Sequence, residues 1–317
     1  MHKAGFVNIV GNPNVGKSTL MNQLVGEKIS IATFKAQTTR HRIMGIVNTP
    51  DMQIVFSDTP GVLKPNYKMQ EMMLAFSESA LADADILLYV TDVVENPEKN
   101  IDFLEKVREM KIPVLLLINK IDEIGQKPSV TPAEKPKKEG HKDTAKINPT
   151  ALLGELVEKW HKLLPNAEIL PLSAKNKFGV DLLMKRITEL LPESPAYFDK
   201  DQLTDKPAKF FVSEIIREKI LRYYDKEIPY SVEVVVESFK EDVHHIHINT
   251  VIYVERDSQK GIIIGHQGMA LKKVSTEARR SLEKFFGKSV YLEVFVKVDK
   301  DWRNSDHELD HFGYNPQ

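Results

Sequence analysis

The stretch Gly11-Asn12-Pro13-Asn14-Val15-Gly16-Lys17-Ser18 limits what this chain can fold into more than any other. A glycine, four residues and then Gly-Lys-Ser is the spacing of a phosphate-binding loop. Before it runs Phe6-Val7-Asn8-Ile9-Val10, apolar enough for a buried strand; after it, Thr19 to Val25 carry apolar residues three and four apart, as in a helix. In that setting each residue type has a task. Gly11 and Gly16 let the backbone curl, so that loop N–H groups between Gly11 and Thr19 and the positive end of the helix dipole converge on one small volume. Lys17 brings a point charge to the outer phosphate oxygens. Ser18 offers a hydroxyl to Mg²⁺, an ion that prefers a few oxygen ligands plus phosphate.

Strand-like and helix-like stretches alternate from the N-terminus to Leu191, which predicts an α/β domain with a mostly parallel sheet over residues 1–191. The alternation stops between Gly125 and Thr150, a stretch rich in proline and lysine and poor in large apolar residues, where a mobile, disordered insertion is expected. Pro192-Glu193-Ser194-Pro195 opens a linker over 192–209. A smaller α+β unit over 210–299 follows, in the order α, β, β, α, α, β, and residues 300–317 form a polar tail with Trp302 and Tyr314 as anchors. Met69, Met72, Met73, Phe76 and Ala80 lie at helical spacing and read as core packing. Lys plus Arg (44) balance Asp plus Glu (45), so a nucleic-acid footprint must be local rather than a field of the whole chain. The absence of cysteine excludes disulfides and thiolate metal sites. With no charged-then-apolar leader and no apolar run near membrane-spanning length, a cytoplasmic protein is expected.

Three further loops fall where open α/β sheets bind ligands, at the carboxyl ends of strands. In Asp58-Thr59-Pro60-Gly61, Asp58 can hold a Mg²⁺ shell, and Gly61 can offer its N–H to a γ-phosphate and swing when that group leaves. In Asn119-Lys120-Ile121-Asp122, the Asp122 carboxylate matches the adjacent N1–H and N2 amine of guanine and meets the N1 acceptor of adenine badly, which selects GTP over ATP. Asn119 can tie the loops together and Lys120 can lie over the base. In Ser173-Ala174-Lys175, the Ala174 N–H can meet guanine O6.

Together these loops resemble those of Ras-like GTPases over residues 5 to 191. Gly-Asn-Pro-Asn-Val-Gly-Lys-Ser, Gln37-Thr38-Thr39-Arg40-His41-Arg42 and Asp-Thr-Pro-Gly-Val, followed by the smaller unit, are similar to the Era family, the bacterial GTPases of small-subunit ribosome assembly. The resemblance implies that Thr39 reaches Mg²⁺ in the GTP state, with Thr38 as the alternative. Ras carries a water-orienting glutamine just after the glycine of Asp-Thr-Pro-Gly, where this chain has Val62, so slow intrinsic hydrolysis is implied. Related GTPases bind K⁺ at the position of Asn14. The expected catalytic set is therefore Lys17, Thr39, Gly61 and Asn14, with Mg²⁺ held by Ser18, Thr39 and Asp58, and with K⁺ as a second cofactor.

In the smaller unit, Gly265-His266-Gln267-Gly268 lies between two helices, the loop and element order of a type II KH domain, whose glycines let a sugar-phosphate backbone approach. The expected RNA-binding residues are Gly261, Ile264, Gly265, His266, Gln267, Gly268, Lys272, Lys273 and Arg279. His266 stands where the family often has lysine, and its residue type changes charge near neutral pH, so RNA binding is expected to tighten toward about pH 6. The resemblance further implies binding to the 3′ end of 16S rRNA, the 30S subunit as partner, a monomer, and peripheral contact with the cell membrane. Two alternatives remain open from the sequence: a non-hydrolysing RNA-binding protein with a structural nucleotide domain, and a GTPase of another ribosomal or tRNA pathway.

Overall fold

The structure is a computed structural model that describes residues 1–124 and 149–315. The insertion expected near 125–150 falls outside these residues, save for Pro149 and Thr150, which open a helix. The chain begins with β1 (Lys3–Gly11), α1 (Lys17–Val25), β2 (Ile43–Asn48), β3 (Met52–Asp58), α2 (Lys68–Ala82) and β4 (Ile86–Asp92). It continues through α3 (Ile101–Arg108), β5 (Val114–Asn119), α4 (Pro149–Leu163), β6 (Glu168–Pro171) and α5 (Val180–Leu190).

Among the described residues these strands form a six-stranded sheet in the order β2-β3-β1-β4-β5-β6, with only β2 antiparallel. Strands β1, β3, β4 and β5 are apolar almost throughout because helices cover both their faces. One face packs Val7, Ile9, Leu20, Phe56 and Leu88 beneath α1 and α5; the other packs Val10, Tyr89, Leu104, Leu116 and Trp160 beneath α3 and α4. Parallel order brings the carboxyl ends of β1, β3 and β5 to one rim, where the loops singled out above emerge.

The second unit contains α6 (Ala208–Tyr223), β7 (Val232–Glu241), β8 (His245–Val254), α7 (Asp257–Ile264), α8 (Met269–Phe286) and β9 (Ser289–Val298). Its sheet runs β7-β8-β9, the first pair antiparallel and the second parallel, and α6, α7 and α8 cover one face around Ile216, Ile252, Ile263 and Ala278.

Two segments are more ordered than their composition suggests. Residues 192–207, expected as a linker, run along the sheet edge: the Ala4 N–H donates to the Pro192 carbonyl, the Ile46 N–H to Leu203, and Gln53 meets the backbone of Tyr197 and Phe198. The polar tail holds α9 (Asp306–His311) and buries Trp302, Leu309 and Tyr314 against Met69 and Met73 of α2. The methionine stripe is therefore the seat of the tail. Among the described residues no helix is long and apolar enough to cross a membrane.

Candidate functional site

A cavity of about 550 Å³ opens at the rim of the six-stranded sheet. Pro13, Asn14, Gly16, Lys17, Ser18 and Thr19 line it, together with Thr39, Gly61, Asn119, Lys120, Asp122, Ala174 and Lys175. Other members of the expected set stand behind the wall. Val15 packs in the core, and Thr59 is fully buried with its hydroxyl donating to the Ile9 carbonyl. Asp58 and Ser173 reach the site through side-chain partners, and the Asn12 side chain meets Asn100 outside the cavity.

Lys17 is buried, and its Nζ donates to the carbonyls of Gly11 (2.9 Å) and Asn12 (2.8 Å). Burial pulls its pKa down to about 8, against the opposing pull of Asp58 and Glu95. A phosphate would return to this ammonium the negative charge that its surroundings only partly provide.

Ser18 Oγ lies 2.8 Å from Thr39 Oγ1, which donates to Asp58 Oδ2 at 3.2 Å. Thr38 also borders the cavity, but its hydroxyl donates to the Lys35 carbonyl, so Thr39 rather than Thr38 joins the cluster. Asp58 is fully buried, with Oδ1 lacking a hydrogen-bond partner. Burial pushes its carboxyl up, opposed by Lys17 and by the hydroxyls of Ser18, Ser30 and Thr39. Two hydroxyls, of Ser18 and Thr39, beside the undercompensated Asp58 carboxylate fit Mg²⁺.

Gly61 is held against Pro13 so closely that a Cβ would come within 2.7 Å of the Pro13 Cα, which excludes any side chain there. Val62 turns into the core at 3% exposure, and its N–H donates to the Gly11 carbonyl. The position after Asp-Thr-Pro-Gly therefore lends the cavity no side chain. Asn14 is exposed with φ +68°, and it brings an amide to the loop side of the cavity.

At the base-binding end, Asn119 ties the loops: its Nδ2 donates to the Val15 carbonyl at 2.8 Å and its Oδ1 accepts from the Ala174 N–H at 2.9 Å. The Ala174 N–H, expected to meet guanine O6, is held in place by Asn119. Ser173 Oγ donates to Asp122 Oδ1 at 2.6 Å and fixes the carboxylate. Lys120 lines the cavity with its stem while its ammonium pairs with Asp92 at 2.7 Å.

Sequence reasoning missed the roof of this cavity. Ile31, Thr33, Phe34, Lys35 and Gln37 line it, yet their stretch has neither the period of a helix nor that of a strand. The far side of the same loop belongs to the second unit. Arg40, only 1% exposed, donates to the carbonyls of Val232 (2.6 Å) and Pro229 (3.1 Å) and pairs with Glu233 at 3.0 Å. Arg217 donates to the Thr38 carbonyl and Lys35 to that of Tyr224. Thr39 and Arg40 are neighbours in the chain: one faces the cavity, the other is buried against the second sheet.

In that second unit, α7 ends at Gly265, whose φ of +72° and contact with Ala270 (a Cβ would lie 2.6 Å from its Cβ) admit only glycine. His266 and Gln267 are exposed, Gly268 starts α8, and Gly261 and Ile264 flank the loop on α7. Lys272 and Lys273 are exposed on the first turns of α8, Lys273 lying 4.3 Å from the Tyr223 ring centre. Arg279 stands farther along and pairs with Glu283 at 2.7 Å, so its charge is partly spent within the helix.

A Mg²⁺-compatible phosphate loop, a guanine-selecting carboxylate and a Gly-x-x-Gly loop on an α, β, β, α, α, β unit define a P-loop GTPase joined to a KH domain. The family model described as "50S ribosome-binding GTPase" matches residues 6–120, and the KH domain model matches residues 227–303. Among solved structures, the chain is similar to Era in complex with MgGDPNP and nucleotides 1506–1542 of 16S ribosomal RNA, at 36% identity over 100% of both chains with a TM-score of 0.88. It is equally similar to a tyrosine-to-alanine variant of Era from Aquifex aeolicus bound to GDP and AlF4⁻, at 36% identity over 99% of this chain and 100% of that one, TM-score 0.87. This chain belongs to the Era family of GTPases.

Proposed function

We propose that the chain is a GTP-switched assembly factor of the 30S ribosomal subunit that binds the 3′ end of 16S rRNA through its KH domain. The observation that carries this reading is the likeness, over the full length of both chains, to an Era structure that holds both MgGDPNP and the 16S fragment. In hydrolysis, Lys17 and the loop N–H groups hold the β- and γ-phosphates, and Gly61 places its N–H at the γ end. Mg²⁺, held by Ser18, Thr39 and Asp58, would neutralise charge developing on the phosphates. Val62 leaves the attacking water without a side-chain partner, so turnover is slow. Asn14 would bind K⁺ beside the γ-phosphate and supply the positive charge that an arginine provides elsewhere.

The KH loop takes unpaired RNA as its glycines allow, with Lys272 and Lys273 toward the phosphates. We place the protein in the cytoplasm as a monomer, with peripheral contact at the cytoplasmic face of the membrane; family resemblance and a cysteine-free sequence support that placement. Steady phosphate release from GTP, faster in KCl than in NaCl and lost in Lys17→Ala, is expected alongside salt-sensitive binding of an RNA oligonucleotide with the 16S 3′ sequence. Phosphate release that survives Lys17→Ala, or equal binding of an unrelated oligonucleotide of the same length, would overturn the reading. Equal rates in the two salts would remove K⁺ alone.

A further inference from the structure

Asn100 occupies the N-cap position of α3, where asparagine ordinarily accepts a hydrogen bond from its own helix. Here the side chain makes no such bond. It reaches instead across to two loops of the nucleotide site, its Nδ2 donating to Asn12 Oδ1 and, at 3.0 Å, to the Val62 carbonyl. The Asn12 amide, 3% exposed, lies beside the Glu95 carboxylate and helps to stabilise its charge, and Glu95 accepts from Thr91 Oγ1 at 2.6 Å. Asn100 thus ties the start of α3 to the phosphate loop and to the loop after β3, while Glu95, held by Thr91 at the end of β4, backs Asn12 electrostatically. The Glu95 and Asn100 side chains do not line the cavity, so neither contacts a phosphate itself.

The geometry at Val62 shows what the chain accomplishes. Its N–H is fixed by the Gly11 carbonyl and its carbonyl by Asn100, while its side chain is locked in the core. Val62 is therefore a fixed pivot, and Gly61 is the first residue before it that can turn. Lys17 grips the same Gly11 carbonyl that fixes Val62, and also the backbone carbonyl of Asn12, whose side chain Asn100 holds. With no glutamine after Gly61, the position of backbone groups at the γ end matters more than in a site where a side chain can adjust.

We propose that Asn100, supported by Glu95 through Asn12, is a positioning residue for GTP hydrolysis: it clamps Val62 to the phosphate loop and so sets the reach of the Gly61 N–H toward the γ-phosphate. The inference rests on the GTPase reading of the site. It requires the clamp to matter when a γ-phosphate is present and to be indifferent to GDP.

The test uses the full-length protein carrying Asn100→Asp, which keeps the shape but turns the donor into an acceptor facing two oxygens, and Asn100→Ser as a milder second variant. Affinities for GDP and for a non-hydrolysable GTP analogue are measured beside kcat and KM. Loss of two hydrogen bonds predicts a fall of roughly five- to tenfold or more in kcat and in the ratio of GTP-analogue to GDP affinity. GDP affinity should stay within about twofold of wild type. Glu95→Gln, which keeps the shape beside Asn12 and can still accept from Thr91, should retain most of the wild-type ratio. An unchanged ratio and kcat would overturn the proposal, and so would an equal loss of GDP and GTP-analogue affinity, the mark of a merely structural role. If wild-type protein releases no phosphate, the hydrolase reading fails, while the affinity ratio still decides whether Asn100 reads the γ-phosphate.

Discussion

Asp122 shows how a single carboxylate can decide the ligand. Ser173 donates to Oδ1 at 2.6 Å and sets the plane of the group, so the carboxylate cannot swing to accommodate a different base edge. Two acceptor oxygens match the two adjacent donors of guanine, whereas an amide at the same place would present one donor and one acceptor. Xanthine, with N1–H beside a carbonyl, is the base that an amide would match. Asp122→Asn is therefore expected to weaken GTP binding by roughly ten- to a hundredfold, the effect of one mismatched buried pair, and to raise affinity for XTP. Competition of XTP and GTP for a fluorescent nucleotide measures both changes. Loss of GTP affinity with no gain for XTP would show that the side chain acts on loop structure instead.

The loop between α1 and β2 is a two-sided element, and His41 reports on its outer side. Its ring lies 4.5 Å from that of Tyr314 and near 6 Å from those of Phe76 and Phe210, between the first domain, the start of α6 and the tail. Burial, together with the charges of Arg217, Lys206 and Arg40, pulls its pKa down to about 3. An unfolded histidine takes up a proton near pH 6.5, so folding is unaffected above that pH and loses stability as pH falls from 6.5 toward 3. The loss at pH 5 should be about 1–2 kcal/mol, allowing for the partly exposed ring edge. Urea midpoints at pH 7.5 and 5.0 should move apart less in His41→Phe than in wild type; an equal separation would assign the acid sensitivity to other groups.

What was legible at this scale follows from the range of the interactions. Strands β1, β3, β4 and β5 announce themselves as continuous apolar runs buried on both faces, helices α5 and α8 because their burial repeats with the helical period, and the ligand-facing residues because their spacing is fixed within one loop. The outer side of residues 35–42 has no such period. Arg40 reads as a surface charge, yet it is buried because its partners, Pro229, Val232 and Glu233, come from about 190 residues away. The tail reads as polar because three apolar side chains suffice to dock it, and their seat on Met69 and Met73 is distant in sequence. Asn100 was invisible for a different reason: an asparagine before a helix already has an ordinary explanation as its cap.

At the scale of the whole molecule, the peptide joining Thr39 to Arg40 is where nucleotide chemistry meets RNA binding. Were Thr39 to order around Mg²⁺ and a γ-phosphate as proposed, Arg40, its neighbour in the chain, would move with it. Arg40 cannot leave its site without exposing Glu233, which also accepts from Tyr314 Oη at 2.7 Å. Burial works against the charge on Arg40, but the Tyr314 phenol and the Glu233 carboxylate outweigh it and hold the guanidinium charged. Removing one partner alone, as in Arg40→Ala, leaves a buried charge uncompensated and should cost about 3–5 kcal/mol, which by itself says nothing about coupling. Replacing both, as in Arg40→Met with Glu233→Met, removes the two buried charges together and should restore much of that stability. Stability and coupling then separate. The double variant should fold and hydrolyse GTP, but its RNA affinity should no longer differ between the GDP form and the GTP-analogue form. By linkage, RNA should also cease to alter its nucleotide affinity. Titrating the 16S 3′ oligonucleotide against both nucleotide forms of wild type and double variant measures the effect directly. If the variant keeps the wild-type difference between the two forms, the signal reaches the KH domain by another route, of which the seat of the tail on α2 is the next in line.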